Sequence, residues 1–189
     1  MHYHPSPVWC RITFSNQIHT IYSNEKILIF SQFTTFFEIL EHFIDKEFIK
    51  SGKYNKIEYL KYIGMMNANQ RSDVINEFYN NKKKRILLIS MKAGNSGLTL
   101  TCANHVIIVD PFWNPFVEEQ AQDRCYRISQ TREVKVYKLF IKNSVEDRIF
   151  ELQKRKKEMV DMAMDSGKIK EINKLGTREI GFLFGLNDL

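Results

Sequence analysis

Short apolar runs, each followed by a stretch of helical period, decide what this chain can fold into. Lys26–Ser31, Tyr59–Ile63, Arg85–Ser90, Val106–Asp110 and Val134–Ile141 have the length and the branched aliphatic content of strands. Lys26–Ser31 is apolar at nearly every position after its lysine, a pattern that belongs to a strand covered on both faces. Phe36, Phe37, Leu40, Phe43 and Ile44 follow it at helical spacing, and Ala68–Tyr79 repeats the theme by offering Val74, Ile75 and Phe78 to a core. Strand, helix, strand in strict alternation implies crossover units and a parallel sheet. The fold class is therefore α/β, a doubly wound parallel sheet. Ligands in such sheets sit at the carboxyl ends of the strands.

The remaining segments are less regular. Residues 1–24 read as a lead-in without hydrophobic period, with one short helix after Pro5-Ser6-Pro7. Lys46–Lys61 reads as a polar surface loop. Pro115 suits the first turn of a helix, where its fixed φ and missing donor cost nothing, and that helix is expected to run to Ile128. Ser144 begins a long helix with Asp147 as its capping-box partner, placing Val145, Ile149, Leu152, Met159 and Ala163 on one apolar face. Phe182, Leu183, Phe184 and Leu186 predict that the tail from Leu175 to Leu189 packs back on the domain.

Composition narrows the function classes. A chain of 189 residues buries about 70% of its unfolded surface, and 43% hydrophobic content fills such a core. No apolar run reaches the roughly 18 residues of a membrane span, so a membrane partner is not expected. Met1-His2-Tyr3-His4-Pro5 lacks the cationic start and apolar core of a secretory signal. Three cysteines, Cys10, Cys102 and Cys125, match neither a disulfide framework nor a zinc site and point to a reducing compartment. His2 and His4 have no further ligands nearby, so no metal site is expected. The net charge of +6 permits a polyanionic partner or describes a solvated basic surface; both readings stand.

The chemistry concentrates between Ile89 and Gln130. Ser90-Met91-Lys92-Ala93-Gly94-Asn95-Ser96-Gly97-Leu98-Thr99 follows a strand and carries two glycines three apart, which lets backbone N–H groups approach an anion. It is either such a loop or a tight strand–helix turn, and no Gly-Lys-Ser/Thr of a Walker A loop ends it. Arg124 and Arg127 are three apart on the expected helix, with Gln120 a turn before. Arginine forks match phosphate oxygens and stabilise charge developing on a transferred phosphate. The alternative is pairing within the helix, Asp123 with Arg127 or Gln120 with Arg124. In Asp110-Pro111-Phe112-Trp113-Asn114-Pro115 an aromatic beside an amide either stacks on a base or sugar or packs on the domain. The basic runs Lys82–Arg85 and Lys154–Lys157 either contact phosphates or, as such runs more often are, form solvated helix ends; Glu118 and Glu119 read as the solvent side of a helix start.

Taken in order, Lys26–Phe33, Tyr62-Ile63-Gly64 with Gln70-Arg71, Ser90–Leu100, Trp113-Asn114-Pro115 and Gln120–Gln130 resemble motifs IV, IVa, V, Va and VI of the Swi/Snf-type ATPases, the DNA-translocating branch of superfamily-two helicases. The match covers residues 24–165. The resemblance implies a RecA-like second helicase lobe over 25–143, preceded by the lead-in 1–24 and followed by a C-terminal brace helix and tail over 144–189. It implies that Arg124 and Arg127 are arginine fingers on ATP held by a first lobe, with Gly97 and Gln120 near the nucleotide. It further implies that Ser31, Gln32, Ser90, Lys92, Trp113 and Asn114 meet the backbone of double-stranded DNA. Many relatives carry Arg where this chain has Lys92, so charge is kept and the bidentate fork is lost.

Lys92–Leu100 and Leu175–Leu186 are similar to the subgroup that often carries RING inserts, and Gln122–Gln130 within it to the fungal SUMO-targeted translocases. The implied setting is a nuclear, ATP- and Mg²⁺-dependent translocase that remodels or displaces DNA-bound proteins. Its implied partners are DNA, an N-terminal RecA-like lobe and SUMO-modified proteins. No Walker A lysine or Walker B Asp-Glu pair occurs, so the chain is expected to be one part of a longer polypeptide and not to hydrolyse ATP alone. Two alternatives belong to other classes: a non-catalytic DNA- or protein-binding module, and a stand-alone nucleotide-binding enzyme. The second would need a phosphate loop after the first strand, where Ser31-Gln32-Phe33-Thr34-Thr35 contains no glycine.

Overall fold

The computed structural model describes residues 2–3, 25–51, 58–94, 97–166 and 175–186. The elements in chain order are β1 (His2–Tyr3), β2 (Ile27–Ser31), α1 (Thr34–Ser51), β3 (Glu58–Tyr62), α2 (Ala68–Asn80), β4 (Lys84–Ser90) and α3 (Met91–Gly94). They continue with β5 (His105–Ile108), α4 (Pro115–Gln122), β6 (Lys135–Lys138), α5 (Val145–Ser166) and α6 (Thr177–Leu183). The six strands among the described residues are all parallel, in the order β1-β6-β5-β2-β4-β3. The parallel α/β sheet with helices on both faces, expected from the alternation, is the fold observed.

Why β2 is central follows from its side chains. All five residues are buried, and they pair with Ile86–Ser90 on one side and His105–Ile108 on the other. Leu28 and Phe30 face one core with Leu87, Ile89, Val106, Phe78 of α2 and Ala121 of α4. Ile27 and Ile29 face the other with Ile86, Leu88 and Phe37, Leu40 and Ile44 of α1. Helices therefore cover both faces. The α2 helix has the capping box of Asn67 and Gln70 at its start. At its end the ammonium of Lys26, which is 9% exposed, reaches the carbonyls of Phe78, Tyr79 and Asn81. A cation at a helix C-terminus offsets the dipole and satisfies orphan carbonyls.

Four expectations change. The helix α1 extends to Ser51, through the first part of the segment expected as loop. His2–Tyr3 form an edge strand on β6 rather than irregular lead-in; two residues of main-chain pairing leave no hydrophobic period to read. The rest of the lead-in, with its expected short helix, lies outside the described residues.

The α4 helix stops at Gln122, short of Ile128, for a reason given below. The buried face of α5 is rotated: Leu152, Gln153 and Lys156 are buried, whereas Val145 and Met159 are 48% and 50% exposed. The tail does return, with Phe182 of α6 buried under the guanidinium of Arg155 at 5.7 Å, though Phe184 and Leu186 stay exposed.

Candidate functional site

The carboxyl ends of β4, β2 and β5 lie side by side, and they bring together the six residues expected to meet DNA. Ser31 pairs in register with Ser90. Gln32 donates its backbone N–H to Asp110 Oδ2 at 2.8 Å and its side-chain amide to the Pro111 carbonyl at 2.9 Å, tying the turn after β2 to the turn after β5. Burial pushes the Asp110 carboxyl up, and hydrogen bonds from Ser31 and Gln32 work against that shift.

Burial divides the six. Ser31, Ser90 and Asn114 are buried, and their side chains bond to local backbone: Phe33 N–H, Ala93 N–H and Phe116 N–H respectively. They shape the turns. Lys92 is exposed, and Gln32 and Trp113 are partly exposed, Gln32 while bonded to the Pro111 carbonyl and Trp113 while packed against Lys156.

Arg124 and Arg127 occupy a different place. Helix α4, about 12 Å long by its rise, carries the chain away from Asn114 and ends before both arginines. The loop that follows is built on carbonyls: the Gln130 amide lies within hydrogen-bond distance of Thr101 O, Ala103 O and Cys125 O. Leu100 N–H donates to Arg124 O at 2.8 Å, and Arg132 donates to Cys102 O. These tertiary bonds outcompete continuation of the helix, whose sequence contains no breaker.

The arginines therefore share a loop rather than a helix face. Neither has a carboxylate partner among the described residues, so pairing with Asp123 or Gln120 is not what they do. Arg127 donates to Thr99 Oγ1 at 2.6 Å and is otherwise exposed. Arg124 is 8% exposed, with its Nε buried and without a hydrogen-bond partner among the described residues. A guanidinium held this way fits a phosphate brought from outside, because a buried charge without a partner is costly. Gly97, two residues before Thr99, has φ +66, a conformation that glycine takes without steric cost. Gln120 is exposed on α4.

The model of the helicase conserved C-terminal domain matches residues 11–129. The chain belongs to this family. It is 77% identical over 167 residues to the ATP-dependent helicase ULS1 of Saccharomyces cerevisiae, covering 88% of this chain and 10% of that protein. It is 38% identical over 164 residues to the DNA repair protein RAD5 of the same yeast, covering 86% and 14% respectively. Among solved structures, the C-terminal part of the Fun30 ATPase domain superposes with a TM-score of 0.67 at 31% identity, over 95% of this chain and 51% of that one. This is the C-terminal lobe of a Swi/Snf-type ATPase, as the ordered motifs indicate. The chain spans only 10% to 15% of the length of curated relatives such as these.

The helicase lobe also contains a buried carboxylate whose place the sequence does not reveal. Glu118, expected in solvent, is 1% exposed. Its Oε1 accepts from Phe112 N–H at 2.8 Å and from Gln153 Nε2 at 2.6 Å, and its Oε2 meets Lys138 Nζ at 2.5 Å. Helix α5 covers it, which no periodicity within α4 foretells. Glu119, one residue on, pairs with Lys157 at 2.5 Å. Next to Arg124, the Cys125 thiol is pushed up to about 12 by burial. Lys138 at the end of a strand, and Gln153 and Lys156 one turn apart on a helix, were the only signals of this hub.

Proposed function

We propose that this lobe works within an ATP-dependent double-stranded DNA translocase that remodels or displaces DNA-bound proteins in the nucleus. The observation that carries the reading is Arg124, whose Nε is buried and without a hydrogen-bond partner among the described residues, on the same loop as the exposed Arg127, with neither paired to a described carboxylate. Such a pair is suited to the γ-phosphate of ATP held by a first lobe. Positioned arginines stabilise transition-state charge there. Gly97 and Gln120 sit on the nucleotide side of the same reading. Mg²⁺, held with the nucleotide by that first lobe, neutralises phosphate charge. Alone, this lobe binds no nucleotide productively and does not turn over.

At the carboxyl edge, Lys92, Gln32 and Trp113 meet the DNA backbone, while Ser31, Ser90 and Asn114 fix the turns that present them. Opening and closing of the two lobes then alternates the grip on DNA with engagement of the arginines. The resemblance of Gln122–Gln130 to the fungal SUMO-targeted translocases supports SUMO-modified proteins as the targets, recruited by regions outside this chain.

The test is ATP hydrolysis by the full-length protein with and without duplex DNA, comparing wild type with Arg127→Ala. A loss of about 10³-fold or more with DNA affinity retained is the expected result. Unchanged turnover, or none in wild type, points instead to the non-catalytic binding module.

A further inference from the structure

Trp113 lies where α5 meets the turn before α4. Gln153 of α5 donates to the Phe112 carbonyl at 2.5 Å while Phe112 N–H donates to Glu118. These bonds fix the peptide that precedes Trp113. One helical turn after Gln153, Lys156 places its ammonium 4.4 Å from the centre of the Trp113 ring. That lysine is 1% exposed, and its Nζ is 3.2 Å from Glu179 Oε1 of α6. The other oxygen of Glu179 accepts from Gly176 N–H at 2.5 Å, so the carboxylate is held at both ends. The α6 helix in turn is docked by Arg148, which donates to the carbonyls of Phe182 and Leu183, and by Arg155 over the Phe182 ring.

We infer that Lys156 and Glu179 are a positioning pair for Trp113, through which the C-terminal helix sets how the lobe grips DNA. The physical basis is a desolvated cation on an indole face. A buried ammonium must be paired, and the partners of this one include the Glu179 carboxylate and the Trp113 ring. Removing the Glu179 charge takes away a carboxylate that holds the ammonium against the ring, so the support of the ring weakens. Removing the charge of Lys156 does the same from the other end. The inference rests on the reading of Trp113 as a DNA contact, and it adds that two residues which never touch DNA adjust that contact.

The experiment uses the full-length protein and measures ATPase rate against duplex DNA concentration. Lys156→Met and Glu179→Gln are each expected to raise the half-saturating duplex concentration about five- to tenfold. Turnover at saturating DNA is expected to stay within about twofold. Lys156→Arg, which keeps the charge, restores the wild-type value. Lys157→Met, which removes the neighbouring pair with Glu119, leaves it unchanged. In a Trp113→Ala background, Lys156→Met has no further effect, and this coupling is what a merely structural lysine would not show.

An equal effect of Lys156→Met in both backgrounds, or a silent Glu179→Gln, overturns the inference. A shift from Trp113→Ala beside silence from Lys156→Met removes the positioning pair and leaves the DNA reading intact. Silence from Trp113→Ala removes the DNA reading, and the pair with it.

Discussion

Glu118 and Arg124 are buried to a similar depth, six residues apart, and they have opposite fates. Glu118 is surrounded: a backbone N–H, an amide and an ammonium meet its two oxygens. Arg124 has a buried Nε with no partner among the described residues. A buried charge that is fully paired holds structure together, and removing one partner costs several kcal/mol. A buried charge left unpaired is kept at a cost, which an external anion offsets. The same short segment thus contains one buried charge met on every side and one whose Nε has no partner among the described residues, and pairing rather than burial tells them apart.

Substitutions at the two sites sharpen that contrast. Arg124→Met is expected to lower DNA-stimulated ATPase of the full-length protein by about 10³-fold or more. The same change should hold the stability of the lobe or raise it by about 1 kcal/mol, read by urea unfolding. If instead it destabilises the lobe, Arg124 is a fastening too and the contrast breaks. Glu118→Ala is expected to cost about 3–5 kcal/mol, because Lys138 is left partly buried without its anion. A cost below about 1 kcal/mol would place the pair with ordinary surface bridges.

A smaller effect tests whether the floor beneath Arg124 is dry. Cys125 keeps its proton in the folded lobe up to about 12, while the unfolded chain gives it up from 9.0. Below 9.0 its contribution is fully present, and it is lost as pH rises toward the folded value. The alkaline fall in the urea midpoint should therefore be steeper in wild type than in Cys125→Ala. Equal slopes would mean water reaches the thiol. The smallest expected effect is at the other edge. Lys92→Ala should reduce the slope of log DNA affinity against log salt by about 0.9, the share of one phosphate contact.

The strands were legible because burial on both faces leaves unbroken apolar runs, as in Ile27–Phe30 and Ile86–Ile89. The start of α4 was legible from Pro115, which does open it; that Asn114 caps it was not read from the sequence. What escaped was set by contacts between distant segments. Nothing in Gln122–Ile128 marks a helix end; the Gln130 amide and the carbonyls of Thr101 and Ala103 supply the reason. Lys156 looked like part of a solvated basic run, and Glu118 like a dipole-complementing surface acid. Each is buried because another helix covers it. Periodicity reads one element at a time, and the hub is made of three.

The order of strands carries a consequence for synthesis. The first long strand, β2, ends up between β4 and β5, and Gln32 bonds to Asp110 across 78 residues. At about 5–20 residues per second, a ribosome needs on the order of ten seconds to deliver the second flank after the first partner-seeking strand has emerged. For that interval Ile27-Leu28-Ile29-Phe30 is a greasy ribbon with open hydrogen-bonding edges. How fast this lobe is translated, and what shields that ribbon meanwhile, bears directly on how much of it reaches the native state.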